Sequence, residues 1–548
     1  MDSMNEGLDK MKREQEELYY PRLFLDYRDG VEGIKDLYFG HYKNFEDIQD
    51  KYSWLGNHFP GENRESLVHE LKAYNMSLEA SSETLQNIDK LRDSKTVVVA
   101  AGQQAGVFTG PLYTIYKAIT AVKLAEQLSS KGIPAVPVFW IASEDHDFRE
   151  VNHIHLQDMD GGVEEITLSG ENGHFPIEYV PVDLPRFLQI IEQLEGHTPS
   201  TEFKGPLVQL FRESAEKSNS LTQWFGRLMA WLFRKQGLVL FNPLLKGIRK
   251  NSGSLLSSFC LHRKAMDVLV AEREQVIQRL GYHYQVKRED GQLFLFALRQ
   301  KGRASLFEKN GRIVTRQGED LGTVQEAAEK IKKHPEKYSP NVITRPLMQE
   351  ILLPTLMQVC GPGEVSYFGQ LIPLYKIFDL KPPILYPRPS VTLLEPRMDR
   401  YMKKYSLTEK ELFNINGARL HYLEEKEETS VSRLFESLEK TVEKEYGKIK
   451  VELNHISSQL GDLTDTNRKI VLKDIAYLRE KAEEVLQEKH KVALGHFYKL
   501  ESSCHPVNQL QERVYNIFPY LIKYGPTFWE RLFEGFPLEE GHHFHRWR

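Results

Sequence analysis

The chain has 548 residues, of which 27% are charged, and a formal net charge of −5 at pH 7, so we expect several domains and no extended basic surface for nucleic acid. Its three cysteines are far apart and form no CxxC pair, which argues against a disulfide framework or a cysteine zinc site and favours a reducing compartment. The charged N-terminus lacks the apolar stretch of a signal peptide and the most apolar segment, 133–142, has about half the length of a membrane span, so we expect a cytoplasmic protein with no membrane partner.

The first predicted elements form an α/β core. Residues 1–93 show the apolar spacing of helices. Residues 96–101 are a short, continuous apolar run, typical of a strand buried on both faces of a parallel sheet. A glycine-bearing turn, a helical stretch from Tyr113 to Ser129 and a second buried strand at 135–141 follow. Strand, turn, helix and strand in this order predict a βαβ unit of an open parallel sheet.

Two β-rich stretches interrupt this core. Residues 163–168 and 175–182 predict a hairpin, and a third core strand is predicted at 238–241. Asp290-Gly291 and Asn310-Gly311 are dipeptides typical of type I′ turns, so each is expected to separate two strands of a small β-rich insert.

The last part of the core is rich in loops. Residues 339–395 contain many prolines and glycines and are expected to supply the final strands, at 342–343 and 383–386. The short basic run 299–303 is expected to be solvated surface.

The C-terminal third predicts a coiled coil. From about residue 430 the apolar residues follow steps close to three, four or seven. Gly461-Asp462 interrupts the pattern, so we predict two antiparallel helices of about thirty residues each. The apolar seam is narrow, and either it pairs with a second copy of the chain or the hairpin packs on its own core.

These patterns divide the chain into eight segments. They are an N-terminal helical region (1–93), the first part of the core (94–158), a connecting insert (159–235), the second part of the core (236–283), a β-rich insert (284–330), the third part of the core (331–404), the coiled-coil hairpin (405–500) and a segment that returns to the core (501–548).

The first candidate site is the glycine-rich turn 101–111. It lies between a predicted strand and a helix, where open α/β folds bind ligands. Glycines let the backbone approach a phosphate, and a helix N-terminus offers free N–H groups. The pattern is neither GxGxxG nor a P-loop, and its glycines could serve only to shape a tight crossover. The adjacent Gln103 and Gln104 favour hydrogen bonds to a ligand.

The second candidate site is the acidic segment Glu144–Asp147, which follows the second predicted strand. Carboxylates around His146 would raise the pKa of the histidine, so the cluster could supply a general base or bind an amino group. It could also collect a divalent metal, or be a solvated loop that caps a helix. His153 and His155 alternate along a predicted strand, and we expect them to be core or surface residues.

Two further turns carry candidate ligand-binding groups. Gly361-Pro362-Gly363 imposes a sharp turn with Glu364 and Tyr367 just beyond it, and Arg345 precedes it. Arg388 and Ser390 lie on a proline-fixed segment, and an arginine suits phosphate or carboxylate. Each turn alone is equally compatible with a structural role. Cys360 has no visible histidine partner, so we do not expect it to be a nucleophile.

Taken together, these segments resemble the BshC family of bacillithiol biosynthesis. The similarity lies in GQQAGVFTGPLYTIYKA (102–118), VPVFWIASEDHDFREVNH (136–153), SPNVITRPLMQEILLPT (339–355), GPGEVSYFGQ with PRPSVTLLE (within 361–395) and QERVYNIFPYLIKYG (511–525). The resemblance implies a Rossmann-like parallel-sheet core with connecting inserts, and a C-terminal antiparallel coiled-coil hairpin that pairs two subunits. It also implies the last step of bacillithiol synthesis, in which cysteine is joined to glucosaminyl-malate through an amide bond.

The resemblance also implies a set of site residues. Amide formation from a free carboxylate needs activation, so ATP with magnesium is the expected cofactor and an acyl adenylate or acyl phosphate the expected intermediate. The expected catalytic residues are Asp145, His146 and Asp147, with no protein-bound metal. The expected nucleotide- or substrate-binding residues are Gly102, Gln103, Gln104, Gly106, Thr109, Gly110, Glu144, Arg345, Gly361, Gly363, Glu364, Tyr367, Arg388 and Ser390.

Two other functions remain open at this point. The acidic segment could serve a metal-dependent amide hydrolase, with His153 as a further ligand. Alternatively, the chain could be a non-catalytic, nucleotide-binding dimer whose coiled coil presents the core to a partner. The family's fold resembles that of the class I nucleotidylyltransferase and aminoacyl-tRNA synthetase superfamily, which binds ATP phosphates with a histidine pair and a lysine pair. Both pairs are missing from the corresponding segments of this chain.

Overall fold

A five-stranded parallel sheet forms the centre of the first of two compact units in the computed structural model. The structure describes residues 16–59, 61–158, 161–300, 302–426 and 431–547. The first unit comprises Met1–Met159, Val163–Thr392 and Leu510–His545, and the second comprises Asp160–Gly162, Leu393–Gln509 and Arg546–Arg548.

The strands and helices are numbered in chain order. The strands are β1 (Val97–Gln103), β2 (Ala135–Ile141), β3 (His153–Gln157), β4 (Val163–Thr167), β5 (Val239–Phe241), β6 (Gln292–Arg299), β7 (Gly302–Lys309), β8 (Arg312–Thr315), β9 (Asp320–Thr323), β10 (Tyr338–Pro340), β11 (Thr355–Cys360), β12 (Ile384–Pro387), β13 (Ser390–Leu394) and β14 (His542–Arg546). The helices are α1 (Arg22–Arg28), α2 (Phe45–His58), α3 (Gly61–Ser77), α4 (Ser82–Lys90), α5 (Leu112–Ser130), α6 (Leu184–His197), α7 (Lys204–Glu216), α8 (Leu221–Leu232), α9 (Lys246–Asn251), α10 (Gly253–Leu261), α11 (Arg263–Arg279), α12 (Val324–Lys333), α13 (Arg345–Leu352), α14 (Pro362–Leu371), α15 (Pro396–Lys404), α16 (Ile415–Lys426), α17 (Val431–Ile456), α18 (Ser458–Lys489), α19 (Lys491–Cys504), α20 (Gln511–Val514), α21 (Phe518–Tyr524) and α22 (Pro526–Gly535).

The core sheet has the strand order β12-β11-β1-β2-β5, and all its pairings are parallel. Every residue of β2 is buried, as are Val97–Ala101 of β1, because helices cover both faces of the sheet. The predicted strands and the helix between them are therefore confirmed. In the sheet, β2 and β5 lie on one side of β1, and β11 and β12 lie on its other side. The winding thus changes direction between β1 and β11.

The end of β1 lies unusually close to β2. Gly102 pairs with Trp140, and a Cβ atom on Gly102 would lie 2.9 Å from the carbonyl oxygen of Trp140. Only glycine fits at this distance without a shift of one strand. This close approach fixes where the glycine-rich turn begins.

The predicted β-rich insert exists, but only one of its two turns is where the sequence indicates. Strands β10-β6-β7-β8-β9 form an antiparallel sheet, and Asn310-Gly311, with φ of 51° and 76°, joins β7 to β8 as predicted. The prediction for Asp290-Gly291 is wrong because this dipeptide precedes β6. The N–H group of Gln292 donates to the carbonyl oxygen of Glu289, so the turn leads into the sheet instead of joining two strands.

The predicted hairpin of 163–168 with 175–182 is also wrong. β4 pairs antiparallel with β3, and His153 and His155 lie on β3. In the second stretch Ile177–Tyr179 is a single 3₁₀ turn. Pro176 and Pro181 flank this turn, and the N–H groups that they lack would be needed for a strand ladder.

The region 339–395 contains one correct and one incorrect strand prediction. The run 383–386 corresponds to β12. The run 342–343 is a turn, because the Asn341 side chain accepts hydrogen bonds from the N–H groups of Ile343 and Thr344 and directs the chain into α13. The sequence analysis did not identify β11, the neighbour of β1 in the sheet.

The second unit contains the predicted antiparallel helical hairpin, formed by α17 and α18. Tyr446 on α17 donates a hydrogen bond to Asn467 on α18 at 2.7 Å. The break lies at Ser457, whose side chain caps α18, and not at Gly461-Asp462 as predicted. Gly461 lies inside α18, at a position where a side chain would collide with Asn454. In the described part of the chain, no helix is long and apolar enough to cross a membrane.

The close approach at Gly102 predicts a large cost for a single methyl group. We expect Gly102→Ala to destabilise the first unit by about 1–3 kcal/mol, because the added Cβ must displace the backbone of β2. Thermal unfolding followed by circular dichroism measures this. Gly363→Ala is the matched control because no atom lies within 4 Å of the position of its new Cβ. Equal unfolding temperatures for the two variants would contradict the role assigned to Gly102.

Candidate functional site

A cavity of about 350 Å³ lies at the carboxyl edge of the core sheet, where β1 and β11 end. Open α/β sheets bind ligands at the point where the winding changes direction, and this cavity occupies that point. Ten of the predicted site residues line it: Gly102, Gln103, Gln104, Asp145, Arg345, Gly361, Gly363, Glu364, Tyr367 and Arg388.

The two adjacent glutamines connect the walls of the cavity. Gln103 accepts a hydrogen bond from Lys117 at 3.1 Å and donates to Gln104 at 3.2 Å. Gln104 in turn donates to Asp145 at 2.7 Å. The glycine-rich turn and the acidic segment therefore lie side by side.

Three cationic side chains reach the cavity from different elements. Lys117 of α5 forms an ion pair with Glu364 and donates to the carbonyl oxygen of Gly102 at 3.0 Å. Arg345, the first residue of α13, donates to the Tyr367 hydroxyl at 3.0 Å, and no carboxylate of the described residues lies within ion-pair distance of it. Arg513 is exposed and lies over the ring of Tyr113. Lys117 is 5% exposed and its three N–H groups already donate to Glu364, Gly102 and Gln103, so Arg345 and Arg513 are the cations left for an anionic ligand.

Asp145 supplies the opposite charge on the β2 side. Burial alone would raise the pKa of this carboxyl, but hydrogen bonds from His146 and Gln104 and the charge of Arg303 hold it well below its usual range. Asp145 is therefore ionised at neutral pH. Such a carboxylate holds an ammonium group well but accepts a proton poorly.

Arg388 lines the cavity, yet its guanidinium is committed to a buried ion pair. Its two terminal nitrogens donate to Glu512 at 2.6 and 2.8 Å, and both side chains are 2% exposed. Ser390 donates to the same carboxylate at 3.0 Å and lies outside the cavity. The two residues tie the chain after β12 to α20, and the structure gives Ser390 no access to a ligand in this cavity.

The conformation of the glycine-rich turn depends on Gly106, Thr109 and Gly110. Thr109 is fully buried with a φ of 73°, and a Cβ on Gly106 would lie 2.9 Å from the Cα of Gly110. The Asn516 side chain donates to the carbonyl oxygens of Phe108 and Gly110, at 2.6 Å each, and holds this strained backbone in place. None of the three predicted residues lines the cavity, so their placement supports the structural alternative.

The remaining residues of the acidic segment point in different directions. Glu144 is buried in an ion pair with Arg249. Asp147 caps the 3₁₀ turn Phe148–Glu150. His146 accepts a hydrogen bond from Arg303 and does not line the cavity. Among the described residues no group of three or more histidines, cysteines and carboxylates could hold a metal ion.

The sequence analysis missed several residues of the site. Lys117 lies about two helical turns after the glycine-rich turn. A cation at this spacing could have indicated that its side chain belongs to the site. Arg303 belongs to the basic run predicted to be solvated, and that prediction is wrong for this residue because its side chain is 6% exposed. Glu512 and Asn516 lie in segment 511–525, which resembles the BshC family, but nothing in the sequence indicated that both side chains are buried.

Comparison with known proteins agrees with this architecture. The family model "Bacillithiol biosynthesis BshC, N-terminal Rossmann-like domain" matches residues 9–389, and "Bacillithiol biosynthesis BshC, C-terminal coiled-coil domain" matches residues 391–544. The predicted fold class, a Rossmann-like parallel-sheet core followed by a coiled coil, is therefore confirmed.

Curated relatives carry the description "Putative cysteine ligase BshC". The protein of Desulforamulus reducens is 34% identical over 85% of this chain and 87% of its own length. Those of Symbiobacterium thermophilum and Carboxydothermus hydrogenoformans are 33% and 30% identical, over 90% and 96% of this chain and 92% and 97% of their own lengths. A solved arginyl-tRNA synthetase-like structure from Campylobacter jejuni covers 83% of this chain and 98% of its own at 10% identity, but its TM-score of 0.22 is too low to carry an argument.

The buried ion pair predicts an asymmetric response to substitution. Arg388→Met leaves the Glu512 carboxylate buried without a counter-charge, so we expect a loss of about 3–5 kcal/mol in the free energy of unfolding. The double variant Arg388→Met/Glu512→Leu should recover much of that loss because no charge remains buried. Chemical denaturation of the first unit measures both.

Arg312→Met is the control for this experiment, since the Arg312–Asp320 pair is half exposed on both sides and its removal should leave the unfolding midpoint nearly unchanged. An Arg388→Met variant as stable as Arg312→Met would contradict the structural role of the buried pair.

Proposed function

Because this chain belongs to the BshC family of bacillithiol biosynthesis, we propose that it is the ligase that joins cysteine to glucosaminyl-malate through an amide bond. One observation carries the proposal beyond the family: Arg345 and Arg513 line the same cavity as Asp145, at the winding change of the sheet. The reaction brings together anionic groups, the carboxylates and phosphates, and the amines of glucosaminyl-malate and cysteine. The cavity offers cations for the first and a carboxylate for the second.

ATP with magnesium fits the chemistry of this donor set. Arg345 and Arg513 would hold the phosphates, and Gly102 and Gly363 leave the backbone accessible at the two turns. ATP would supply the activation that a free carboxylate needs before an amine can displace its oxygen. The magnesium ion would come with the phosphates.

Asp145 would hold the amine of glucosaminyl-malate. Its low pKa keeps the carboxylate charged, so it stabilises the ammonium form and orients the nitrogen beside the cations that hold the acyl donor. The proton that leaves on amide formation must therefore go to solvent or to another group. Of the three residues expected to be catalytic, only Asp145 lines the cavity.

We also propose that the coiled coil pairs two copies of this chain. Leu463, Ile470, Leu478 and Val485 of α18 are spaced by seven or eight residues and are between 52% and 70% exposed. A stripe of this kind on an isolated hairpin leaves apolar surface in water, which a second copy would cover. The free, buried thiols of Cys260, Cys360 and Cys504 fit a reducing, cytoplasmic setting.

The ligase proposal predicts which substitutions abolish product formation. The full chain is incubated with glucosaminyl-malate, cysteine, ATP and magnesium, and bacillithiol is quantified by mass spectrometry. We expect Arg345→Gln, Arg513→Gln and Asp145→Asn each to lower kcat/KM by about 10- to 100-fold, since each removes a charge-assisted hydrogen bond.

Arg316→Gln is the matched control because Arg316 pairs with Glu289 on the β-rich insert, away from the cavity. The proposal is wrong if the folded wild-type chain forms no bacillithiol. The assignment of the cavity is wrong if the three site variants keep the activity of the control.

The dimer proposal makes a separate prediction. Leu478→Glu places a charge on the apolar stripe, so we expect a monomer in sedimentation-velocity experiments at concentrations where the wild type is a dimer. Ala476→Glu adds the same charge at an exposed position two residues away and should remain dimeric. A monomeric wild type, or two variants that behave alike, would contradict the pairing.

A further inference from the structure

Arg303 on β7 is a buried cation that reaches the acidic segment from the β-rich insert. Its Nη1 atom donates to Nδ1 of His146 at 3.2 Å and its Nη2 atom donates to the carbonyl oxygen of Pro340 at 2.9 Å. The guanidinium lies over the ring of Phe296, 4.1 Å from the ring centre, and Asp145 lies 3.8 Å away. These contacts hold the guanidinium of Arg303 in one position.

The start of β7 is fixed by an equally close contact. Gly302 has a φ of 99°, and a Cβ there would lie 2.5 Å from the backbone of His174. The N–H group of Arg303 donates to the carbonyl oxygen of His174 at 2.9 Å. The insert therefore docks on the loop that carries His174, and this docking places the guanidinium beside His146.

The contact decides where the imidazole of His146 carries its proton. A guanidinium can only donate hydrogen bonds, so Nδ1 of His146 must present its lone pair, and the proton of the neutral ring lies on Nε2. Asp145 competes only weakly for Nδ1, because it lies farther from Nδ1 than Arg303 does. One of its oxygens accepts from the backbone N–H of His146 at 2.7 Å and the other from Gln104 at 2.7 Å, whereas Nδ1 is 3.5 Å away.

We propose that Arg303 is a positioning residue that holds His146 as an Nε2–H donor toward the carbonyl oxygen of the activated carboxyl group of cysteine. The inference rests on the proposed ligase function. His146 does not line the cavity itself, but its Nδ1 lies 3.5 Å from the carboxylate of Asp145, which does, and about a third of its side chain is exposed; the proposal places the acyl group of the ligand just past Asp145, beside this imidazole. In this arrangement His146 donates a hydrogen bond and is not the general base that the sequence analysis expected.

The donor acts where negative charge develops. The ammonium group held by Asp145 first loses one proton to solvent. Its nitrogen then forms a bond to the acyl carbon, and the carbonyl oxygen becomes an oxyanion that accepts the hydrogen bond from Nε2. The bond from the acyl carbon to the leaving oxygen then breaks, the leaving group keeps the electron pair, and the extra proton of the amine passes to solvent. His146 gives up no proton in this sequence and needs no second charge state.

Substitutions at His146 separate a donor from a base. The amide nitrogen of Gln can reach the position of Nε2, whereas that of Asn reaches only the position of Nδ1. In the bacillithiol assay we expect His146→Ala and His146→Asn to lose about 100-fold in kcat with little change in KM, and His146→Gln to stay within about 10-fold of wild type. If His146→Gln is as inactive as His146→Ala, or if all three keep wild-type activity, the donor role is wrong.

The tautomer itself can be measured without any substrate. In the ¹⁵N spectrum of the histidine-labelled full chain, the signal of His146 is identified by its loss in His146→Gln. We expect an unprotonated Nδ1 and a protonated Nε2 in the wild type. A protonated Nδ1 would overturn the inference.

Arg303→Lys and Arg303→Met complete the test. The Lys variant keeps a donor, so we expect the Nε2–H tautomer and most of the activity to persist, whereas in the Met variant Nδ1 is free to donate to Asp145, so we expect the Nδ1–H tautomer and a kcat near that of His146→Ala. If Arg303→Met fails to fold, the wild-type spectrum and the His146 series still decide the question. A wild type that forms no product but shows the expected tautomer would refute the ligase function and the oxyanion role, and leave only the Arg303–His146 contact.

Discussion

The buried ion pair between Arg388 and Glu512 is the interaction on which the site depends. Removing two charges from water costs free energy that their attraction barely offsets, so the pair does little for stability as such. What it fixes is position, because neither partner can move without leaving the other uncompensated. Glu512 thereby anchors the C-terminal segment beside the chain that follows β12. Four residues later Asn516 holds the strained glycine-rich turn. One short segment thus ties together two walls of the cavity.

The cavity offers charges of both signs from different elements. Lys117 on α5 is paired with Glu364, whereas Arg345 on α13 and Arg513 on α20 are available to an anion, and the ionised Asp145 follows β2. In the proposed reaction the two arginines would bind the acyl donor, and Asp145 would bind the amine. The β-rich insert adds the positive charge of Arg303 beside the acidic segment. This insert therefore contributes to the electrostatics of the site.

Local patterns in the sequence predicted the parts of this fold that depend on local forces. The continuous apolar runs of β1 and β2, the helix between them and the Asn310-Gly311 turn were all predictable, because burial and turn geometry act within a few residues. β11 was missed because polar Gln358 interrupts its apolar run, although the side chain is buried against Gln349. The roles of Arg303 and Glu512 could not be read because their partners lie more than a hundred residues away in the sequence.

The most direct test of this account is a crystal structure of the full chain with a non-hydrolysable ATP analogue and magnesium. The account predicts that the phosphates lie between the ends of β1 and β11, within hydrogen-bond distance of Arg345 or Arg513, with the Arg388–Glu512 pair intact. A nucleotide bound elsewhere, for example in the cavity lined by Lys330 and Lys337, with no contact to those two arginines, would contradict it.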